Sequence, residues 1–357
     1  MLTLQPSRIN DILSNLRYGN KSFSLSFKFL NFAPVMETKK ALLIINPISG
    51  TGKKKGLAER VTSRLALVGI NVDTKLTTGP GDATDFARQA IADGYDIVIA
   101  AGGDGTVNET AIALCGSDTA LGIIPCGSGN GLARHMNIPV DVDEAVEIIA
   151  AGKSEVCDHG SANGHPFFCT FGTGFDAAVG HKFAQSKERG LMTYVKSTFK
   201  EYYSYVPDEY IIKANGETLT ERAFVVAVCN ASQYGNNAYI APHASINDGL
   251  LDVTVIHYGN KLTTALVGID LMAGSIEHNA LIHTFRTHDL QIIRKSAGPV
   301  HIDGEPMVFE AEIDIHCHDA RLRILTPGSH TPIRPVLTPV KAIFEDIARS
   351  VRHIFKK

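Results

Sequence analysis

The stretch AAGGDGTVNE (100–109) begins at the end of an apolar run and leads into a segment with helical periodicity. Its glycines allow the backbone to approach a ligand closely, and N–H groups at a helix start favour anionic oxygens. The alternative is a purely structural glycine turn. The stretch is not a P-loop, and Asn108 stands where the dinucleotide motif needs its third glycine. We therefore predict a phosphate-binding strand–loop–helix unit.

Two further loops of the same kind follow other predicted strands. NPISGTGK (46–53) comes after ALLII (41–45), and CGSGNG (126–131) comes after ALGIIP (120–125). Strands alternate with helical patterns from residue 40 to about 155, which predicts a parallel sheet covered by helices. Because the carboxyl ends of parallel strands meet at one edge, the loops should together form a nucleotide site.

The second half of the chain has a different pattern. Short β-rich runs dominate from about residue 160, among them PFFCTFG (166–172) and AEIDIHC (311–317). This pattern is typical of an antiparallel sandwich or barrel. The expected organisation is a nucleotide-binding α/β domain over 39–158 and a β-sandwich substrate domain over 159–328.

The sequence predicts a separate segment at each end of the chain, outside the two domains. Residues 1–38 are expected to be a flexible extension, with a basic-aromatic arm that touches membranes as the alternative. Residues 329–357 predict an amphipathic helix that packs back on the first domain, with Thr338 as its N-cap. The same helix could instead lie on anionic lipid.

The composition and charge of the chain exclude several classes of protein. The chain has 357 residues, 44% of them hydrophobic, and a formal net charge of −3, which excludes a general nucleic-acid-binding polycation. Its six cysteines form no CxxC pair, so a reduced, cytoplasmic setting is expected. We find no apolar run long enough to cross a membrane.

LIINPISG (43–50), GGDGTVNE (102–109) and PCGSGN (125–130) resemble, in this order, the diacylglycerol kinase catalytic-domain family. This family includes bacterial soluble lipid kinases and sphingosine kinases. FGTGFD (171–176), APHASINDGLLD (241–252) and HIDGE (301–305) resemble its later blocks. The resemblance implies a first domain like that of NAD kinases and phosphofructokinases, with ATP between the two domains.

The resemblance also implies roles for individual residues. Asp303 and Glu305 match the acids that include the general base, and Asp104 is the third catalytic candidate. Ser245, Asp248 and Leu250 match positions that hold a structural Mg²⁺. The predicted ATP site comprises Asn46, Pro47, Ser49, Gly50, Thr77, Gly103, Asp104, Gly105, Thr106, Val107, Asn108, Glu109, Ser128, Gly129 and Asn130.

The predicted function is transfer of the ATP γ-phosphate to a hydroxyl of a diacylglycerol-like or sphingoid-base lipid. The substrate would be presented by a membrane surface, so peripheral membrane association is expected, and the resemblance suggests a homodimer. An NAD kinase-like phosphotransferase and a non-catalytic nucleotide- or lipid-binding module are the alternatives. Phosphoryl transfer requires positioning, charge neutralisation and a base near the acceptor.

Overall fold

The structure, a computed structural model, describes residues 38–50, 54–185, 202 and 204–328. The predicted N-terminal extension and C-terminal helix lie outside these residues, apart from Thr38 at the edge of the first. None of the described helices is both long and apolar enough to span a membrane.

The first half alternates strands and helices, as the sequence predicts. Its elements are β1 (Lys39–Ile45), α1 (Leu57–Ala66), β2 (Ile70–Leu76), α2 (Asp82–Ala92), β3 (Ile97–Gly102), α3 (Asp104–Leu114), β4 (Ala120–Pro125), α4 (Gly131–His135) and α5 (Val142–Ala151). The four strands are parallel in the order β2-β1-β3-β4. Strands β3 and β4 are buried along their whole length, as expected for a sheet covered on both faces.

The helices of this half follow their side-chain patterns. Leu57, Val61 and Leu65 recur at intervals of four residues on α1 and are fully buried against the sheet. Burying each leucine stabilises the fold by about 1.5–3 kcal/mol. Asp141 caps α5 by accepting hydrogen bonds from the backbone N–H groups of Asp143 and Glu144, at 2.9 and 3.2 Å.

The second half is almost entirely antiparallel. Its elements are β5 (Ser154–Ala162), β6 (His165–Phe167), β7 (Thr170–Gly174), α6 (Phe175–Gln185), β8 (Asp208–Ala214), β9 (Glu217–Cys229), β10 (Leu251–His257), α7 (Lys261–Ala273), a 3₁₀ turn (Ile276–His278), β11 (Ile282–Thr287), β12 (Asp289–Arg294), β13 (Gly298–Ile302), β14 (Glu305–Phe309) and β15 (Glu312–Leu325). An α/β domain followed by an antiparallel, sandwich-like domain confirms the predicted fold class.

The two halves share strands. β15 pairs with β12 near its start and with β5 along most of its length, and near its end Ile324 pairs in parallel with Leu121 of β4. The predicted boundary at 158/159 falls inside β5. The nucleotide-binding half and the sandwich half are therefore connected by a continuous hydrogen-bonded sheet.

One predicted strand divides in two, and one helix begins inside a predicted loop. α3 starts at Asp104, within the AAGGDGTVNE stretch, so the glycine loop itself forms the first turn of this helix. PFFCTFG is not one strand: it divides into β6 and β7 at Phe168 and Cys169. The break occurs because the backbone N–H groups of these two residues bind a side chain, Asp303, instead of a neighbouring strand.

Candidate active site

The three glycine-containing loops meet at the carboxyl edge of the parallel sheet. The Asn46 side chain donates a 3.0 Å hydrogen bond from Nδ2 to Thr106 Oγ1, and Cys126 N donates to Gly102 O at 2.7 Å. The loops touch so closely that a Cβ added to Gly50 would lie 1.9 Å from the carbonyl oxygen of Cys126. This contact explains why glycine is required at that position, where φ is also +70°.

Asp104 joins the first turn of α3 to the neighbouring loop. Its Oδ2 accepts a hydrogen bond from Asn130 N at 2.9 Å, and its Oδ1 accepts one from Gly131 N at 2.7 Å. The carboxylate thereby sits at the N-terminus of α4, where backbone N–H groups lack helical partners. In this arrangement both oxygens position the loop at 126–131, and a catalytic role for Asp104 stays a prediction.

Glu109 and Asn130 also hold the loops in place. Glu109 accepts hydrogen bonds from Gly81 N and Ala83 N, at 3.0 and 3.3 Å, and so satisfies N–H groups at the start of α2. Asn130 adopts φ of +54° and closes a ring with Gly127 through two hydrogen bonds of 2.8 and 2.9 Å. Both side chains were predicted to bind ATP, and in the structure both bind the backbone of neighbouring loops.

The remaining predicted nucleotide contacts lie at the same edge. Pro47 and Ser128 are exposed, Val107 is buried in the core, and Thr77 follows β2, its N–H bonded to Ile45 O at 2.9 Å. Asp82 is the first residue of α2. It accepts hydrogen bonds from Thr78 and Gly79, which lower the pKa of its carboxyl.

Lys54 is the positive charge of the first loop. Its ammonium group donates to the carbonyl oxygens of Asn46 and Ser49 and, at 2.5 Å, to the Ser49 hydroxyl. Burial lowers the pKa of Lys54. The ammonium group is held by neutral oxygens, and its three contacts tie Lys54 to the segment 46–49.

Asp303 is bound on all sides by donors from both halves of the molecule. Its Oδ1 accepts hydrogen bonds from Cys169 N (2.8 Å) and Thr170 N (2.9 Å), and its Oδ2 accepts from Phe168 N (2.9 Å) and Asn108 Nδ2 (2.7 Å). Burial raises the pKa of the carboxyl, and the four donors act in the opposite direction. Asp303 is therefore held as a structural link between α3 and the β6–β7 turn.

Glu305, two residues further on, has a different environment. It is exposed, and its Oε1 would lie only 3.2 Å from a Cβ added to Gly105 in the first turn of α3. The β13–β14 hairpin thus brings one carboxylate from the sandwich half over the N-terminus of the phosphate-binding helix. The tight turn is made by Asp303 and Gly304, both with positive φ.

Sequence reasoning missed a buried polar network next to this hairpin. Asp176 Oδ2 accepts a 2.8 Å hydrogen bond from the Tyr234 hydroxyl and lies 3.0 Å from His301 Nε2. Space for the pair exists because residue 172 is glycine: a Cβ there would lie 2.1 Å from His301 Nε2. The signal was present in the quoted FGTGFD block, where an acid follows directly on a buried strand.

The predicted metal residues lie elsewhere, in the loop before β10. Gly249 N donates a 2.7 Å hydrogen bond to Asp158 Oδ2, which ties this loop to β5. Among the described residues, no group of three or more His, Cys, Asp or Glu side chains is arranged to hold a metal ion. Cys115, Cys157, Cys169, Cys229 and Cys317 are free thiols.

An α/β half with three convergent glycine-containing loops meets an antiparallel half that carries an acid, which is the arrangement that the sequence predicts for a phosphotransferase. Residues 40–162 match the family "Diacylglycerol kinase catalytic domain", and residues 169–326 match "YegS C-terminal NAD kinase beta sandwich-like domain". The chain belongs to this diacylglycerol kinase and YegS-like family of lipid kinases.

Individual relatives agree with this assignment. The chain is 28% identical to the diacylglycerol kinase of Bacillus subtilis (strain 168) over 273 residues, which cover 75% of this chain and 90% of the relative. It is 30% identical to a "Probable lipid kinase YegS-like" of Klebsiella pneumoniae (strain 342) over 236 residues, covering 65% of this chain and 78% of the relative.

Solved structures share the fold. A crystal structure of a diacylglycerol kinase from Bacillus anthracis str. Sterne superposes with a TM-score of 0.66 at 21% identity and covers 82% of this chain and 98% of that one. At this identity the similarity concerns the fold alone.

Proposed function

We propose that the protein is an ATP-dependent lipid kinase that phosphorylates a hydroxyl group of a diacylglycerol-like or sphingoid-base lipid. The observation that carries the proposal is the position of Glu305 above the first turn of α3. This arrangement sets an acceptor-side carboxylate opposite a phosphate-binding helix start. The names of the relatives favour diacylglycerol among the candidate lipids.

The nucleotide would enter as MgATP, the substrate form. Backbone N–H groups of the loops at 46–50, 102–105 and 126–129 would face its phosphates, with Lys54 neutralising negative charge. A Mg²⁺ ion bound with the nucleotide would supply further neutralisation of the phosphate charge. The chain's own contribution is a rigid cradle, because Asp104, Asn130 and Lys54 hold the loops against one another.

Glu305 is our candidate for the general base. As the lipid oxygen bonds to the γ-phosphorus, the bond from that phosphorus to the β–γ bridging oxygen breaks and ADP leaves. The hydroxyl proton passes to the Glu305 carboxylate. Asp303 suits this step less well, since four donors already occupy its two oxygens. We therefore assign Asp303 the role of positioning the hairpin.

The test is transfer of label from [γ-³²P]ATP with Mg²⁺ to vesicles that contain diacylglycerol, monoacylglycerol, phosphatidylglycerol, sphingosine, dihydrosphingosine or ceramide, and to NAD in solution. Glu305→Gln should reduce kcat by about 10²–10⁴-fold while ATP binding persists. Glu310→Gln is the matched control, because this exposed acid lies just beyond the same hairpin.

Each alternative has its own outcome. Label on NAD and on no lipid would make the protein an NAD kinase-like phosphotransferase. ATP binding without transfer to any acceptor would favour a non-catalytic module. Full activity of Glu305→Gln would remove this residue as the base and leave the kinase proposal standing.

A further inference from the structure

A positively charged side chain of the protein contacts the loop that the family resemblance assigns to a structural Mg²⁺. Asp248, the one carboxylate among the three predicted ligands, forms an ion pair through Oδ2 with Arg286 Nη2. Its other oxygen accepts a hydrogen bond from Leu250 N at 3.2 Å. Both oxygens of the expected metal ligand are therefore engaged by protein donors.

Arg286 reaches a second acid from a fixed position. It lies on β11 directly opposite Asp252 of β10 in the antiparallel register, and its Nε is 3.4 Å from Asp252 Oδ2. That oxygen is buried, and the described residues give it no hydrogen-bond partner, so its closest compensation is the guanidinium charge. Burial raises the pKa of Asp252 against the lowering effect of Arg286.

Ser245, another of the three predicted ligands, also has a hydrogen-bond partner. The Ser245 hydroxyl donates to Asn247 Oδ1 at 3.0 Å. A bound Mg²⁺ demands oxygen ligands in near-octahedral geometry at about 2.0–2.1 Å. A guanidinium that already contacts one carboxylate of this loop and lies beside another does not leave that geometry available. These residues, as arranged, do not fit the implied ion.

We propose that Arg286 replaces the structural divalent cation of this loop, joining residues 245–252 to β11 through Asp248 and Asp252. Arginine suits this role because its planar fork can contact two carboxylates at once and its charge is permanent. The inference is independent of the lipid that the protein phosphorylates. It predicts that the only divalent ion the protein needs is the one that accompanies the nucleotide.

The first experiment measures Mn²⁺ binding to the nucleotide-free protein by electron paramagnetic resonance, with wild type beside Asp248→Asn. We expect wild type and Asp248→Asn to bind the same amount of Mn²⁺. Stoichiometric binding to the wild type that this variant abolishes would overturn the proposal, because it would show that the loop binds a divalent ion despite Arg286.

The second experiment compares thermal unfolding of Arg286→Gln and Arg64→Gln. Arg64 on α1 is a similarly exposed arginine that forms an ion pair with Glu147 on α5, and it serves as the matched control. We expect Arg286→Gln to lower Tm by about 2–4 °C more than the control does. We also expect millimolar Mg²⁺ to restore part of that loss, since the vacated carboxylates can then bind the ion.

Two results of this comparison would refute the replacement. A loss in Arg286→Gln no greater than in Arg64→Gln would show that the guanidinium does not hold the loop. A wild-type Tm that falls on addition of EDTA, as in a protein with a bound structural ion, would show that the divalent site is retained.

Discussion

The side-chain amide of Asn108 donates a 2.7 Å hydrogen bond to the Asp303 carboxylate, across 195 positions of sequence. Asn108 lies in the phosphate-binding helix, and Asp303 lies in the hairpin that carries Glu305. This one contact links the cradle for the nucleotide to the acid proposed to act on the acceptor. The distance from the proposed nucleotide site to the Glu305 carboxylate therefore depends on a hydrogen bond in which neither the nucleotide nor Glu305 takes part.

Breaking this bond should reduce catalysis through geometry. Asn108→Ala leaves Asp303 Oδ2 with the Phe168 amide alone, so we expect the free energy of unfolding to fall by about 1–3 kcal/mol. The kcat should fall on the order of 10²-fold, as expected for a misplacement near 1 Å. Steady-state kinetics with ATP and lipid varied separately, together with urea unfolding, measure both effects.

Gln89→Ala is the control for this variant, because Gln89 presents an exposed amide on α2. It should change neither quantity. A raised KM for ATP with unchanged kcat in Asn108→Ala would instead assign Asn108 to direct nucleotide contact, as the family resemblance implies.

The packing of the first and third loops can be tested with a pair of glycines. Gly50 and Gly56 have nearly the same backbone conformation, with φ of +70° and +72°, so alanine strains both by about 1 kcal/mol. Only at Gly50 does the new Cβ collide with another loop, at Cys126 O. We expect Gly50→Ala to raise the KM for ATP by tenfold or more and Gly56→Ala to leave it near the wild-type value. Equal effects in the two variants would mean that backbone strain, not loop contact, dominates.

The buried network behind the hairpin predicts opposite effects at two glycines close in sequence. Gly172→Ala would place a methyl group 2.1 Å from His301 Nε2 and should destabilise the fold by about 1–3 kcal/mol. Gly180 lies in α6, where an added Cβ would have no described heavy atom within 4 Å apart from its chain neighbours and the backbone of its own helix, so Gly180→Ala should stabilise by up to about 1 kcal/mol. Chemical denaturation of both variants measures the sign of the change in the free energy of unfolding. A Gly172→Ala variant more stable than wild type would contradict the close approach of residue 172 to His301.

His159 predicts a pH dependence of stability. It stacks on Phe168 and His318, with ring centroids 5.7 and 4.9 Å apart, and burial lowers its pKa to about 4. The unfolded chain binds the proton near pH 6.5, whereas the folded chain does not until about pH 4. The contribution of neutral His159 is thus complete above pH 6.5 and is lost as the pH falls toward 4.

This dependence is measured as Tm from pH 7.5 to 4 in wild type and His159→Phe. The variant keeps an aromatic ring in the stack, and its Tm should fall less steeply over the window. His165→Phe, at an exposed position, is the control and should retain the wild-type slope. Identical slopes in wild type and His159→Phe would show that other groups carry the acid sensitivity.

Local sequence patterns were sufficient to predict the fold class and the convergence of three loops. The strand runs that end at Ile45, Gly102 and Pro125 are apolar and bounded by glycine, and parallel pairing brings such ends together without further information. The use of individual side chains was less predictable. Nothing near Glu109 indicates that its carboxylate accepts from Gly81 and Ala83, because that contact depends on how α2 packs beside α3.

The same reason limits the prediction for Asp303 and Asp248. An Asp-Gly hairpin dipeptide indicates a turn, but the three N–H groups that surround Asp303 come from a segment about 135 residues earlier. The partner of Asp248 is an arginine on a strand 38 residues later. Partners that are distant in sequence decide whether a carboxylate acts as a general base, a metal ligand or a structural link. These partners are known only from the tertiary structure.

Strand β15 has a mechanical consequence. Its 14 residues pair with the sandwich at one end and reach the parallel sheet at the other, beside β5 for most of their length. A rigid-body hinge between the two halves would have to break the pairing of Ile324 with Leu121, where β15 joins the parallel sheet. A change in the distance between the glycine-containing loops and Glu305 is therefore coupled to the end of this strand as well as to the Asn108–Asp303 hydrogen bond.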